Sequence, residues 1–231
     1  MSVEHPRTIR SFVIRAGRLT DAQRRALDEL WPRYGVEFDA RPLDLDALFG
    51  RHAARVVEIG FGNGEHLAAL AARQPERDFL GIEVHPPGIG RLLLALDASG
   101  LRNVRVSGHD AVEVFETQIP TESLDEVQIL FPDPWHKKRH HKRRLLQAPF
   151  AECVARRLKP GGMLLLATDW QPYAEHMQQV LDACALLENA VPGGGFLERT
   201  PGHTRERAPT RFERRGERLG HDIRELLYRR R

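Results

Sequence analysis

Residues 58–64 read Glu-Ile-Gly-Phe-Gly-Asn-Gly and follow directly on Arg55-Val56-Val57. The apolar run predicts a short strand, the alternate glycines predict a tight turn, and Glu65 to Arg73 predicts a helix. Such a turn lets a ligand approach the backbone at the start of a helix. The dinucleotide fingerprint Gly-x-Gly-x-x-Gly does not fit, because Glu65 occupies its third glycine position. A turn that only permits close packing of strand and helix is the alternative interpretation.

Positive charge is concentrated in two segments of this 231-residue chain. His136 to Arg144 holds six Lys or Arg and no acid, and Arg199 to Arg231 holds eleven Arg against five acids. Each segment therefore carries +6, and because the whole chain carries +3, the remainder carries −9. An acidic body with two basic segments predicts a polyanionic partner, although basic runs also occur as solvated faces.

Composition limits the class of protein. With 41% hydrophobic residues the chain can bury a core, but no apolar run approaches the ~18 residues of a membrane span. The first residues lack a hydrophobic signal segment, so we expect a cytoplasmic protein without a membrane partner. Cys153 and Cys184 stand among apolar neighbours, which predicts buried thiols rather than a disulfide.

The order of predicted elements indicates an α/β fold with a mostly parallel sheet and helices on both faces. Residues 1–50 form a basic, helical N-terminal extension in this interpretation, and residues 51–231 form the main domain. A long helix is predicted from Arg143 to Leu158. Seven strands are predicted, at residues 56–59, 78–83, 104–107, 124–131, 163–168, 186–190 and 222–228.

Five successive predicted strands have an acidic residue at their carboxyl end or shortly after it: Glu58, Glu83, Asp110, Asp133 and Asp169. Ligands of open α/β sheets bind beyond the carboxyl ends of the strands, so these side chains mark a candidate site. Glu83 stands about 20 residues past the glycine turn, the spacing of an acid that accepts hydrogen bonds from ribose hydroxyls. Asp110 could meet the amino group of adenine, or could simply cap the helix that follows.

The sequence Phe131-Pro132-Asp133-Pro134-Trp135 stands at the end of the fourth strand, directly before the basic run. Its two prolines restrict the backbone on both sides of Asp133 and fix the direction of the carboxylate. Methyltransferases that act on exocyclic amines carry a related Asn/Asp-Pro-Pro-aromatic motif at this strand end. A rigid turn without chemistry is the alternative.

These motifs together resemble the bacterial tRNA (guanine-N7)-methyltransferase family, over roughly residues 56–231. The resemblance rests on the glycine turn, Gly81-Ile82-Glu83, the Pro-Asp-Pro-Trp-His-Lys-Lys-Arg-His block, Lys159-Pro160-Gly161-Gly162, Thr168-Asp169 and Thr210-Arg211-Phe212-Glu213. It implies a seven-stranded, Rossmann-like class I methyltransferase fold with S-adenosylmethionine as methyl donor. The implied acceptor is N7 of the guanine at position 46, in the variable loop of tRNA. A methyltransferase of the same fold that acts on another RNA base or on an exocyclic amine is the alternative.

The resemblance also assigns site residues. Asp133 is the implied catalytic residue. The implied cofactor contacts are Glu58, Gly60, Gly62, Gly64, Glu83, Asp110 and Asp133. The implied substrate contacts are Lys137, Asp169, Thr210, Arg211, Phe212 and Glu213. The implied RNA contacts are Arg139, His140, His141, Lys142, Arg143 and Arg144.

No metal and no obligate protein partner are expected. His136, His140 and His141 could in principle bind a metal, but the six neighbouring cations would repel it. Guanine N7 carries no proton in the neutral base, so its methylation needs no general base. We expect Asp133 to stabilise the cationic product ring instead. An RNA-binding module without catalysis is disfavoured, because such a module has little use for acids beside RNA.

Overall fold

In the computed structural model, the described part of the chain forms one mixed sheet of eight strands between two layers of helices. The described residues are 10–13, 17–197, 210–218, 220 and 222–231, without the side chains of Arg211, Phe212 and Glu217. In chain order the strands are β1 Gly35–Val36, β2 Ala54–Ile59, β3 Arg77–Ile82, β4 Val104–Ser107, β5 Leu124–Leu130, β6 Leu158–Thr168, β7 Leu187–Asn189 and β8 Arg224–Arg230.

The sheet order is β1-β4-β3-β2-β5-β6-β8-β7. Strands β1 to β6 pair in parallel, and β8 runs antiparallel to both β6 and β7. Chain direction across the sheet reverses at β2, which lies between β3 and β5. The carboxyl end of β2 is therefore the point where an open α/β sheet leaves a crevice for a ligand.

Nine α-helices and one 3₁₀ helix occur in the described residues. The α-helices are α1 Asp21–Glu29, α2 Trp31–Tyr34, α3 Leu45–Phe49, α4 Glu65–Arg73, α5 Pro86–Ala98, α6 Ala111–Thr117, α7 Ala148–Arg157, α8 Gln171–Asp182 and α9 Arg211–Arg218. The 3₁₀ helix spans Lys138–Arg143.

Two apolar cores lie on opposite faces of the sheet. Val56 belongs to the core that packs against α4 and α5, and its neighbour Val57 belongs to the core that packs against α6 and α7. Successive side chains of a strand point to opposite faces, so a strand covered on both sides reads as a continuous apolar run. Full burial of each valine contributes about 1.5–3 kcal/mol. The predicted α/β fold with helices on both faces is confirmed.

Several details differ from the prediction, among them the start of β6 at Leu158 rather than at Met163. An eighth strand, β1, comes from the predicted extension and pairs with β4, with Gly35 opposite Val106. The predicted helix from Arg143 to Leu158 is wrong over residues 143–147, because α7 begins only at Ala148. Pro149 explains this start, since proline lacks an N–H and fits only the first turn of a helix. The last strand runs over residues 224–230 rather than 222–228.

The predicted extension packs closely on the rest of the chain. Helix α1 lies against α5, and Tyr34, Val36 and Leu45 are buried in the two cores. A division at residue 50 would cut through these cores, and the two-part division of the chain stays a prediction. None of the described helices has the length and apolar character needed to cross a bilayer. Cys153 and Cys184 are free thiols packed beside the larger core.

Candidate functional site

The glycine turn after β2 has a backbone shape that only glycine adopts freely. Gly60, Gly62 and Gly64 have φ values of +75°, +60° and +76°. A Cβ added at Gly60 would meet no atom within 4 Å, whereas one at Gly88 would lie 2.1 Å from the Gly62 carbonyl oxygen. The turn is thus packed against α5 on one side and open at Gly60.

Glu83, which follows β3, is bonded to this turn. Its carboxylate accepts hydrogen bonds from the backbone N–H groups of Gly62 at 2.9 Å, Val84 at 2.8 Å and His85 at 3.0 Å. Burial raises the pKa of Glu83, and the three N–H donors oppose that rise. The carboxylate is half-buried, so it is held beside the open side of the turn and still reaches solvent.

Glu58 lies beneath the turn rather than in its opening. The residue is 2% exposed, and its Oε2 lies 3.0 Å from Nδ1 of the equally buried His66, on α4. A direct cofactor contact from this carboxylate does not fit its burial. Glu58 instead ties β2 to the helix that follows the turn, and the sequence did not reveal His66 as its partner.

Asp110 caps α6, as the alternative interpretation allowed. Its Oδ1 accepts the backbone N–H of Val112 at 3.0 Å. Burial raises the pKa of this carboxyl group, and Glu113 contributes in the same direction. Asp110 is half-buried at the carboxyl end of β4, the strand next to β3, so a role toward a ligand stays a prediction.

Asp133 is exposed on a strained turn. The residues at both ends of Phe131-Pro132-Asp133-Pro134-Trp135 have left-handed backbones, with φ values of +53° for Phe131 and +48° for Trp135. Each such residue costs of order 1–3 kcal/mol, which the surrounding contacts must offset. Strain on both sides of one carboxylate is typical of a functional turn.

Arg144 is one of the groups that hold this turn, and its predicted RNA contact does not fit its position. The residue is 4% exposed, its Nε donates to the Pro134 carbonyl oxygen at 3.0 Å, and its guanidinium lies 4.8 Å from the Tyr173 ring centroid. Burial lowers the pKa of Arg144, as expected for a cation that exchanges water for a carbonyl and a ring. A phosphate cannot reach this guanidinium as it is placed here.

The other basic residues of the run remain accessible. Lys137, Arg139 and Lys142 are exposed, and His140 and His141 are half-buried. Arg143 is half-buried because its guanidinium lies 4.3 Å from the Trp135 ring centroid. These side chains form a positively charged surface beside Asp133, where phosphates could bind.

A contact with the N-terminal segment was missed by the sequence analysis. Trp135 Nε1 donates to the Ser11 carbonyl oxygen at 3.0 Å, and Arg143 Nε donates to the Arg10 carbonyl oxygen at 3.3 Å. Residues 10–12 therefore lie against the strained turn. The basic character of the N-terminal segment was the only sign of a role for it, and the spacing of its arginines did not indicate a contact with Trp135 or Arg143.

Helix α9 brings the last predicted substrate residues to the same edge of the sheet. Thr210 and Glu213 cap its start reciprocally: Thr210 Oγ1 accepts the Glu213 N–H at 3.1 Å, and Glu213 Oε2 accepts the Thr210 N–H at 3.2 Å. A Cβ added at Gly216 would lie 3.2 Å from the Asp169 Cβ, and Arg214 forms a 2.9 Å ion pair with Glu65. The helix thus runs between the end of β6 and the glycine turn. The side chains of Arg211 and Phe212 lie outside the described residues.

Comparison with known proteins identifies the family. Residues 52–226 match a protein-family model described as "Putative methyltransferase". The tRNA (guanine-N(7)-)-methyltransferase of Leifsonia xyli subsp. xyli is 57% identical over 220 residues, which cover 95% of each chain. The enzyme of the same name from Methylococcus capsulatus is 54% identical over 230 residues, or 100% of this chain and 97% of that protein.

The chain belongs to the tRNA (guanine-N(7)-)-methyltransferase family. This confirms the family indicated by the glycine turn and by the Pro-Asp-Pro-Trp block. The family match begins at residue 52, just before β2, and ends within β8.

Solved structures support the fold of the family member described here. The 16S rRNA methyltransferase KamB superimposes with a TM-score of 0.57 at 18% identity, covering 86% of this chain and 98% of KamB. TrmN from Thermus thermophilus gives 0.54 at 18% identity, covering 90% of this chain and 48% of TrmN. At these identities the likeness concerns the fold alone. Within the described residues, no group of three or more His, Cys, Asp and Glu is placed to hold a metal ion.

Proposed function

We propose that this protein transfers the methyl group of S-adenosylmethionine to N7 of guanine 46 in the variable loop of tRNA. The observation that carries the proposal is the pairing of β2 with β5, with Ile59 opposite Ile129. This register places the open glycine turn and the strained turn of Asp133 side by side at one edge of the sheet. A donor site and an acceptor site are then neighbours, with exposed cations beyond them.

The residues at this edge fit S-adenosylmethionine. Gly60 offers backbone without a side chain in the opening, and Glu83 offers a half-buried carboxylate to ribose hydroxyls. Asp110 stands at the end of the next strand, on the side where the adenine amino group would lie. When bound, the cofactor supplies a methyl group whose bond to sulfur breaks with the electron pair returning to sulfur.

Asp133 would act on charge rather than on a proton. The lone pair of guanine N7 forms the new N–C bond, so the base becomes cationic and no proton has to leave. An exposed carboxylate fixed by two prolines can stabilise that charge as it develops. Asp169, which is half-buried after β6, would orient the base by accepting hydrogen bonds from guanine N1–H and the amino group. Glu213 is 2% exposed and accepts the Thr210 N–H, so it would hold the start of α9 in place beside Asp169. The packing of Gly216 against Asp169 places α9 beside this carboxylate and supports the assignment.

Exposed cations of the basic run would bind tRNA phosphates. Lys137, Arg139 and Lys142 present charge on the surface beside Asp133. Phosphate contacts position a nucleic acid and make its affinity salt-dependent, but they do not read bases. We therefore assign the selection of guanine to the carboxylates and the affinity for the RNA backbone to the cations.

The test is a methylation assay with two tRNA transcripts that differ only in guanine or adenine at position 46. We expect label from the donor to appear as 7-methylguanosine in the first transcript and to be absent from the second. Asp133→Asn keeps the shape of the side chain and removes its charge, so the rate at saturating tRNA should fall. A methylated amino group in the nucleoside digest, or equal labelling of both transcripts, would contradict the proposal.

A further inference from the structure

A second basic concavity lies away from the methylation site. Arg33, Tyr34, Arg102 and Arg105 line an open depression of about 440 Å³ at the sheet edge formed by β1 and β4. Arg102 precedes β4, and Arg105 lies near the start of that strand. The lining residues stand before or near the starts of β1 and β4, so the depression lies toward the amino ends of these strands. Gly60, Glu83 and Asp133 instead follow the carboxyl ends of β2, β3 and β5.

Positive charge in the depression is only partly neutralised. Arg33 pairs with Asp97 at 2.9 Å. Arg105 donates to the carbonyl oxygens of Arg102 and Val104, each at 2.9 Å. The exposed guanidinium of Arg102 makes no hydrogen bond or ion pair with any residue that the structure describes. Asp78 also acts on Arg105, but this carboxylate is already paired with Arg51 and Arg55, so the depression keeps an excess of positive charge.

Beneath the arginines lies a hydroxyl group without a partner. Tyr34 is fully buried, and among the described residues its hydroxyl forms no hydrogen bond. A buried polar group that lacks a partner costs about 1–3 kcal/mol. Burial raises the pKa of Tyr34, so the group remains an O–H donor at neutral pH. The guanidinium of Arg33 lies 4.9 Å from the ring centroid and covers it.

We propose that this depression is a phosphate-binding site, separate from the methylation site. A phosphate oxygen accepts hydrogen bonds only, and it matches the fork of donors on arginine. Phosphate held between Arg33 and Arg102 would draw these flexible side chains aside and give the Tyr34 hydroxyl its acceptor. The phosphate could come from an RNA backbone or from a free polyphosphate. The inference does not rest on the proposed methyl transfer.

The first experiment is calorimetric titration of the full-length protein with inorganic pyrophosphate. We expect saturable binding that Arg102→Gln weakens roughly tenfold, since a hydrogen bond to a charged group is lost. Tyr34→Phe should weaken binding roughly fivefold through loss of a neutral hydrogen bond. Arg25→Gln is the matched control, because Arg25 is an exposed arginine on α1 outside the lining. Thermal unfolding without ligand should show Tyr34→Phe to be at least as stable as the wild type, because no hydrogen bond is removed.

The second experiment distinguishes the sources of phosphate. If tRNA binding competes with pyrophosphate and is weakened by Arg102→Gln, the site holds an RNA phosphate. If tRNA binding is unchanged while pyrophosphate binding falls, the site holds a free polyphosphate. Absence of saturable binding to the wild type would overturn the site, and so would wild-type affinity in either Arg102→Gln or Tyr34→Phe. Binding is measured without methyl transfer, so this result is independent of the test of the proposed function.

Discussion

Replacing Arg144 with methionine tests whether a buried cation positions the turn that carries Asp133, the proposed catalytic residue. Methionine keeps much of the apolar stem but removes the hydrogen bond from Nε to the Pro134 carbonyl oxygen. The two left-handed residues Phe131 and Trp135 together cost roughly 2–6 kcal/mol. A hydrogen bond from a charged donor offsets about 1.5–3 kcal/mol of that strain.

Loss of that bond should let the turn relax and move the Asp133 carboxylate. Since every 1.4 kcal/mol is about a factor of ten, the turnover number should fall roughly ten- to a hundredfold. The KM for tRNA should change less than about twofold, because Arg144 is 4% exposed and its guanidinium is directed at Pro134 and Tyr173.

The assay compares Arg144→Met with Arg139→Met over a series of salt concentrations. Arg139 is an exposed arginine of the adjacent 3₁₀ helix, so it is the matched control. Its variant should bind tRNA more weakly, lower the salt slope by about one, and keep the turnover number at saturating tRNA. If Arg144→Met instead reproduced the behaviour of Arg139→Met, the positioning role would be refuted. Circular dichroism checks that both variants are folded.

Three further predictions follow from the cofactor side of the site. Glu58→Ala should lower the free energy of unfolding, measured in urea, by roughly 3 kcal/mol, since it leaves His66 in a buried site without its partner. If stability were unchanged and the affinity for the donor were lost, Glu58 would contact the donor directly. The affinity for the donor should be greatest above the raised pKa of Glu83 and should fall as pH drops through it, because the ionised carboxylate would accept hydrogen bonds from the ribose hydroxyls. The contribution of Glu83 to folding stability should change in the opposite direction: it is present at low pH and is lost as pH rises through the same pKa. Glu83→Gln should make both the affinity and the stability less dependent on pH. Gly60→Ala and Gly50→Ala should each lower the free energy of unfolding by roughly 1 kcal/mol, since both glycines have left-handed φ and open surroundings. Only Gly60→Ala should weaken donor binding, by at least tenfold. Equal donor affinity in the two variants would argue against a donor at this turn.

Local sequence patterns predicted most of the fold and the residues that stand at the carboxyl ends of β2, β3 and β5. The glycine turn, the acid after β3 and the prolines around Asp133 act through backbone geometry, which depends on residues next to one another in the chain. Strand β1 escaped prediction because it has only two residues and exists through its pairing with β4. The same limit applies to the Glu58–His66 pair, since the chemistry of neither residue indicates that the other will be its buried partner.

The contacts of the individual arginines in the basic run could not be predicted from the sequence. Arg143 and Arg144 are adjacent and chemically identical, yet one covers Trp135 and bonds to the Arg10 carbonyl while the other is buried against Tyr173. Tyr173 lies on α8, far along the chain, and only the folded structure shows which of the two arginines packs against its ring. A double substitution of both arginines would therefore mix a change at the N-terminal contact with a change in the position of Asp133. Single substitutions are required, because the two arginines make different contacts. A substitution of Arg144 should mainly lower the turnover number, whereas a substitution of Arg143 changes the contact with the N-terminal segment and the charge offered to tRNA.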